Sequence, residues 1–143
     1  MPAGIAIYPP GAAERNQRIV DSGDRDGAVS TSFREIVRMP DHELTLQRST
    51  PAWRARVAAA HTIPREMRFG EQHQFMPERF QGLAVPTLLL LGGESPPFFT
   101  KAIDDVHKAI RNSRVAVLQG QQHTAMDTAP ELFVGEVLKV LLE

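Results

Sequence analysis

The chain contains no cysteine, one Trp and one Tyr, and neither sign of charge dominates. Without Cys there are no disulfides, no thiolate nucleophile and no Cys-ligated zinc. Sixteen Lys and Arg against 17 Asp and Glu leave a net charge of -1. A nucleic-acid binder usually carries a basic excess on one face, and an anionic membrane surface selects for the same excess. The 11 Arg before residue 82 face 10 acids, so they form no net basic patch. Long apolar runs are also missing. The longest, Val85-Pro86-Thr87-Leu88-Leu89-Leu90-Leu91, falls far short of the ~20 residues that span a bilayer. The N-terminus has neither the basic start nor the apolar stretch of a signal peptide. These absences lead us to expect a soluble, cytoplasmic protein with no nucleic-acid or membrane partner.

What is present suits a globular domain. Hydrophobic side chains make up 42% of 143 residues, and ten Gly bring the apolar share into the ordinary range of about 45–50%. A chain of this length buries roughly two-thirds of its unfolded surface. Residues 1–82 carry helical punctuation and no strand pattern. Tyr8-Pro9-Pro10-Gly11 is an extended entry. Glu14 to Ser22 predicts a short helix stopped by Gly23. Asp24 caps a second helix with Ala28, Phe33, Ile36 and Val37 on one stripe, ending before Pro40. Asp41 opens a helix through Leu44 and Leu46. Thr50-Pro51 opens another that carries Trp53 and is limited by Pro64. Phe69, Phe75 and Phe80 then fall in a turn-broken segment.

After Gly82 the pattern changes. Val85 to Leu91, closed by Gly92-Gly93, predicts a strand buried on both faces. Pro97 to Ile110 predicts a helix with Phe99, Ile103, Val106 and Ile110 toward the core. Arg114 to Leu118 is a second strand. Thr128-Ala129-Pro130-Glu131 has the form of a capping box, and the helix after it is expected to bury Leu132, Phe133, Val137, Leu138 and Leu141. Strand, helix, strand, helix in this order implies parallel strands and a crossover connection. Two parallel strands make a poor sheet whose edges invite pairing with another chain. A homo-oligomer or a partner chain that completes the sheet is therefore expected.

Chemistry concentrates after the two strands, because ligands bind at the carboxyl ends of strands in open α/β sheets. His123, in Gly120-Gln121-Gln122-His123-Thr124, is placed to act as a general base. The plainer reading is a ring that hydrogen-bonds a loop carbonyl. Glu94 and Ser95 lie in the turn after the first strand. Glu94 can accept the Nδ1 proton of His123, as the acid of a triad does, or can be a solvated turn carboxylate. Gly93-Glu94-Ser95 is half of a G-x-S-x-G elbow, but Pro96-Pro97 follows where the elbow needs Gly. Ser95 therefore reads better as the cap of the next helix than as a nucleophile. Trp53, Phe75 and Phe99 are candidate pocket lining, although helical spacing of Trp53 and the nearby Phe residues more often means core. His42, His61, His73 and His107 lack zinc-ligand spacing, so no metal and no cofactor is expected.

Val85-Pro86-Thr87-Leu88-Leu89-Leu90-Leu91-Gly92-Gly93, Gly120-Gln121-Gln122-His123 and Pro130-Glu131-Leu132-Phe133 together resemble the C-terminal part of α/β-hydrolase-fold enzymes. The resemblance implies a truncated α/β-hydrolase fold. Residues 1–82 would be the helical cap or lid, and residues 83–143 the last two strand–helix units, a β-α-β-α unit with parallel strands. It places His123 on the catalytic His. It leaves the acid as Glu94, as a group from elsewhere, or as absent, since Ser95 stands near the family's usual Asp. The family's Ser sits on a G-x-S-x-G elbow, which this chain does not contain. The resemblance therefore implies an ester or acyl hydrolase lineage, with little or no activity unless another chain supplies the nucleophile. The alternative is a non-catalytic module that binds a small apolar ligand and assembles through its sheet edge.

Overall fold

The computed structural model describes residues 7–142. The first six residues of the expected cap segment, and Glu143 of the expected C-terminal part, lie outside them. The described chain forms two compact units, residues 7–73 and 74–142. The division falls between His73 and Gln74, so Phe75 and Phe80 belong with the strands. The reason is local: the 3₁₀ turn Pro77–Phe80 lies against the helix that follows the first strand.

The first unit is all helical: α1 Ala12–Asp21, α2 Arg25–Ser32, α3 Asp41–Arg48, α4 Pro51–Ala58 and α5 Ile63–Gln72. Its starts follow the punctuation. The Asp24 carboxylate accepts the Gly27 N–H at 2.8 Å, and Thr50 Oγ1 accepts the Trp53 N–H at 3.3 Å. After α2 the chain widens into a π turn over Phe33–Val37, so the expected single stripe changes pitch there. Arg38 ends this turn in the left-handed region at φ 55°, two residues before a proline that cannot continue a helix. Pro64 behaves differently from the expectation. It sits in the first turn of α5, where its missing N–H has no helical partner to lose, and so it starts a helix that carries Phe69.

Two hydrophobic clusters hold this unit together. Val29, Met39, Leu44 and Trp53 are buried with Phe33 and Val57 packed against them, while Ala12, Ala13 and Met67 form a smaller group with Tyr8. Asn16 is fully buried and ties α1 to α2 by donating to the Ala28 carbonyl at 2.8 Å. Trp53 buries its ring but keeps a polar partner: Nε1 donates to Asp26 Oδ2 at 2.6 Å. Arg48 pairs with the other oxygen of Asp26, and Ser30 also donates to it.

The second unit contains β1 Thr87–Gly92, α6 Pro97–Ala109, β2 Ser113–Leu118, α7 Ala125–Thr128 and α8 Pro130–Leu141. β1 and β2 pair in parallel, from Thr87 opposite Ser113 to Gly92 opposite Leu118. Leu88, Leu89 and Leu90 are half-buried rather than enclosed on both faces, because the described sheet has only two strands. Two expectations for the last helix also change. Ala129 is its N-cap, since the Thr128 hydroxyl instead donates to Gln121 Oε1 at 2.9 Å. No residue of α8 is buried; Leu132, Val134, Leu138 and Leu141 are exposed, Leu141 to 72%. The periodicity of α8 is amphipathic, but these residues cover only part of one side. Among the described residues, no helix is long and apolar enough to cross a membrane.

The Trp53 hydrogen bond holds the Asp26 carboxyl below its usual range, with the Arg48 guanidinium adding to the effect. A lowered carboxyl pKa contributes stability above the unfolded-state value near 3.8, and this is lost as pH falls through the folded value. Because the Asp26 side chain is nearly half exposed and solvent screens its charge, D26N should cost no more than about 1 kcal/mol at pH 7, the size of one net hydrogen bond. In urea titrations at several pH values, the difference from wild type should shrink below pH 3.8. A gap that does not change with pH would show that the ionised form contributes nothing.

Candidate active site on the second unit

The site is built by backbone before any side chain enters it. Gly93 N–H donates to the Leu118 carbonyl, and Glu94 N–H donates to the Gln121 carbonyl, both at 2.9 Å. The turn after β1 is thereby fastened to the loop after β2. This approach requires glycine at position 92. A Cβ there would collide with the Gln122 carbonyl and stand 2.7 Å from that of Gln121. Gly120, at φ 69°, supplies the left-handed turn that sends the chain from β2 into the loop. His123 is three residues further on.

The His123 imidazole stacks on Phe99 with ring centroids 3.9 Å apart and planes 17° from parallel. Phe98 backs Phe99 at 4.3 Å. Phe99 comes from the first turn of α6, which the double proline Pro96-Pro97 starts. Loss of water on the covered side lowers the His123 pKa from the usual 6.5, and burial is the only cause that acts on it. The shift favours the neutral ring, the state a general base requires.

Beside His123 is a half-open groove of about 150 Å³, lined by residues of the second unit. Leu90, Leu118, Ile103, Met126, Phe133 and Phe99 make its walls. Its polar side chains are those of His123 and Ser95. Ser95 differs from its expected role. The N-cap of α6 is Pro96, and Ser95 Oγ is buried with no hydrogen-bond partner. The Oγ of Thr124, next to His123, is in the same condition. An unsatisfied buried hydroxyl costs about 1–3 kcal/mol, so two in one neighbourhood need an explanation.

The other candidates fall elsewhere. Glu94 is exposed, and no hydrogen bond joins it to His123 among the described residues. Phe75 stacks on Phe80 at 5.3 Å and does not line the groove. Trp53 belongs to the core of the first unit, where its indole N–H is satisfied by Asp26. Helical spacing had this core reading available for Trp53, and burial decides for it. Sequence reasoning passed over Gly92, Thr124 and Met126. Gly92-Gly93 after an apolar strand was a usable signal for close backbone approach; Thr124 and Met126 carried none. Among the described residues no group of three or more His, Asp or Glu side chains is placed to hold a metal ion.

Comparison with known proteins settles the architecture. A crystal structure of an α/β hydrolase from Sphaerobacter thermophilus matches 88% of this chain with a TM-score of 0.67 and 27% sequence identity. The fold is α/β-hydrolase-like. The chain spans 51% of the length of that hydrolase. No protein-family model matches the chain, and no curated protein does.

Two measurements test the site. In an NMR pH titration His123 should titrate below 6.5, and F99A should move it back toward 6.5, while E94Q leaves it unchanged. A His123 value that follows Glu94 rather than Phe99 would overturn this account of the ring. G92A should destabilise the second unit by about 1–3 kcal/mol, as overpacking does, and should shift the His123 ring resonances. Retention of both stability and shifts would mean that the two loops do not need their close approach.

Proposed function

We propose that this hydrolase-like chain carries the base of an ester or related acyl hydrolase, with His123 as that base, and that it works only with polypeptide that supplies the nucleophile and the oxyanion hole. One observation supports the reading above the others: the His123 ring is held neutral beside an apolar groove at the carboxyl ends of parallel strands. In such a reaction His123 takes the proton of an attacking hydroxyl and returns it to the leaving group. Ser95 is not that nucleophile, since its Oγ has no hydrogen bond to His123 or to any other base. Without backbone N–H groups directed at a developing oxyanion, a placed base forgoes several kcal/mol of transition-state stabilisation. The chain alone is accordingly inactive or nearly so.

A partner is the natural source of the rest. The half-buried leucines of β1 and the exposed apolar side chains of α8 present surface suited to another chain, either a second copy or a different polypeptide. A second reading, a binding and assembly module without catalysis, is favoured by the same groove, because its lining is almost wholly apolar and Glu94 makes no triad bond. Turnover separates the two.

The test joins residues 12–142 to the remaining portion of the Sphaerobacter thermophilus hydrolase and assays p-nitrophenyl butyrate. The chimera should hydrolyse it, and H123A should reduce the rate about 10²–10⁴-fold, the usual contribution of a general base. The chain by itself should not exceed free imidazole. Turnover that survives H123A would overturn the assignment, and a folded but inactive chimera would favour the binding module.

A further inference from the structure

We propose that the groove beside His123 is a binding site for an uncharged, benzene-sized group that bears one hydrogen-bond acceptor, such as an aryl or short branched carbonyl compound, and that Ser95 donates to that acceptor. This deepens the reading of the same site given above and rests on it for location.

Size comes first. A space of about 150 Å³ lined by Leu, Ile and Phe side chains is large enough for one benzene. The walls here are of the same kind, with Leu90, Leu118, Ile103 and Phe133 around a groove of that volume. Charge comes second. The groove offers no cationic partner, since its one titratable side chain, His123, is held neutral, so a carboxylate entering it would be stripped of water without compensation. Polarity comes third. The Ser95 hydroxyl lines the groove, is buried and has no partner among the residues around it. It does not cap α6, whose N-cap is Pro96. A serine side chain moves among three staggered wells, so its proton can turn to an acceptor seated in the groove. An unsatisfied buried donor in an apolar wall selects ligands by what they lack as well as by what they have, because an analogue without an acceptor leaves it unsatisfied.

The experiment titrates the full chain with acetophenone, ethylbenzene and benzoate at pH 7.5 and follows the His123 ring protons by NMR, assigned with H123Q. Acetophenone should give a saturable shift with a Kd three- to tenfold below that of ethylbenzene, the range expected for one net hydrogen bond. Benzoate should give none. S95A should raise the acetophenone Kd to the ethylbenzene value and leave ethylbenzene within about twofold. Equal binding of acetophenone and ethylbenzene to the wild type, saturable binding of benzoate, or no shift with any probe would each overturn the proposal. If S95A does not fold, the wild-type ranking of the three probes decides alone. No turnover is measured, so the outcomes stay separate. Ranked binding alongside an inactive chimera would remove the catalytic reading only, and an active chimera without ranked binding would remove this assignment only.

Discussion

The close approach of two loops at the ends of β1 and β2 is the constraint on which the second unit of this molecule depends. Two backbone hydrogen bonds fasten the loops, and the missing Cβ of Gly92 makes room for them. Everything at the site inherits that geometry. The turn of β1 leads into Pro96-Pro97 and so into α6, whose first turn presents Phe99. The loop of β2 presents His123. Their stacking is thus a consequence of backbone fit, and the water lost from the covered ring lowers the pKa of the imidazole.

The arrangement differs from a triad in what holds the base. A triad carboxylate fixes the imidazole tautomer and steadies the imidazolium that forms. Here an aromatic face fixes the plane of the ring but offers no acceptor for its N–H. Burial favours the neutral ring, whereas a carboxylate would favour the charged one. Such a ring is a ready proton acceptor at neutral pH and a poorer holder of the proton it accepts.

The two units also illustrate two ways of handling apolar surface. In the helical unit, Trp53, Leu44 and Val29 are enclosed, and the N–H donors of the Trp53 and Asn16 side chains find partners in Asp26 and the Ala28 carbonyl. In the strand unit, Leu88, Leu89 and Leu90 of β1 are half-covered and α8 has no fully buried residue. The first encloses a continuous core, although Leu46 and Phe69 stay exposed on it. The second carries surface more apolar than a finished α/β sheet would leave to water.

Much of this was legible in the residues themselves. The strand Leu88-Leu91, the strand after Asn112, the crossover helix between them and the caps at Asp24 and Thr50 are local features, set by the runs, prolines and hydroxyls at their ends. Parallel pairing followed from element order, and His123 stood out by its place after the second strand. Tertiary structure decided what depends on distance between residues far apart in sequence. It placed Trp53 in a core rather than in a pocket, because Asp26, 27 residues away, satisfies its indole. It left Ser95 uncapping and unpartnered, gave the Thr128 hydroxyl to Gln121, and set Phe99 against His123, 24 residues apart. A hydroxyl or a ring carries its capacity to bond in the sequence, but the partner is chosen only when the backbone has brought one within 3 or 4 Å.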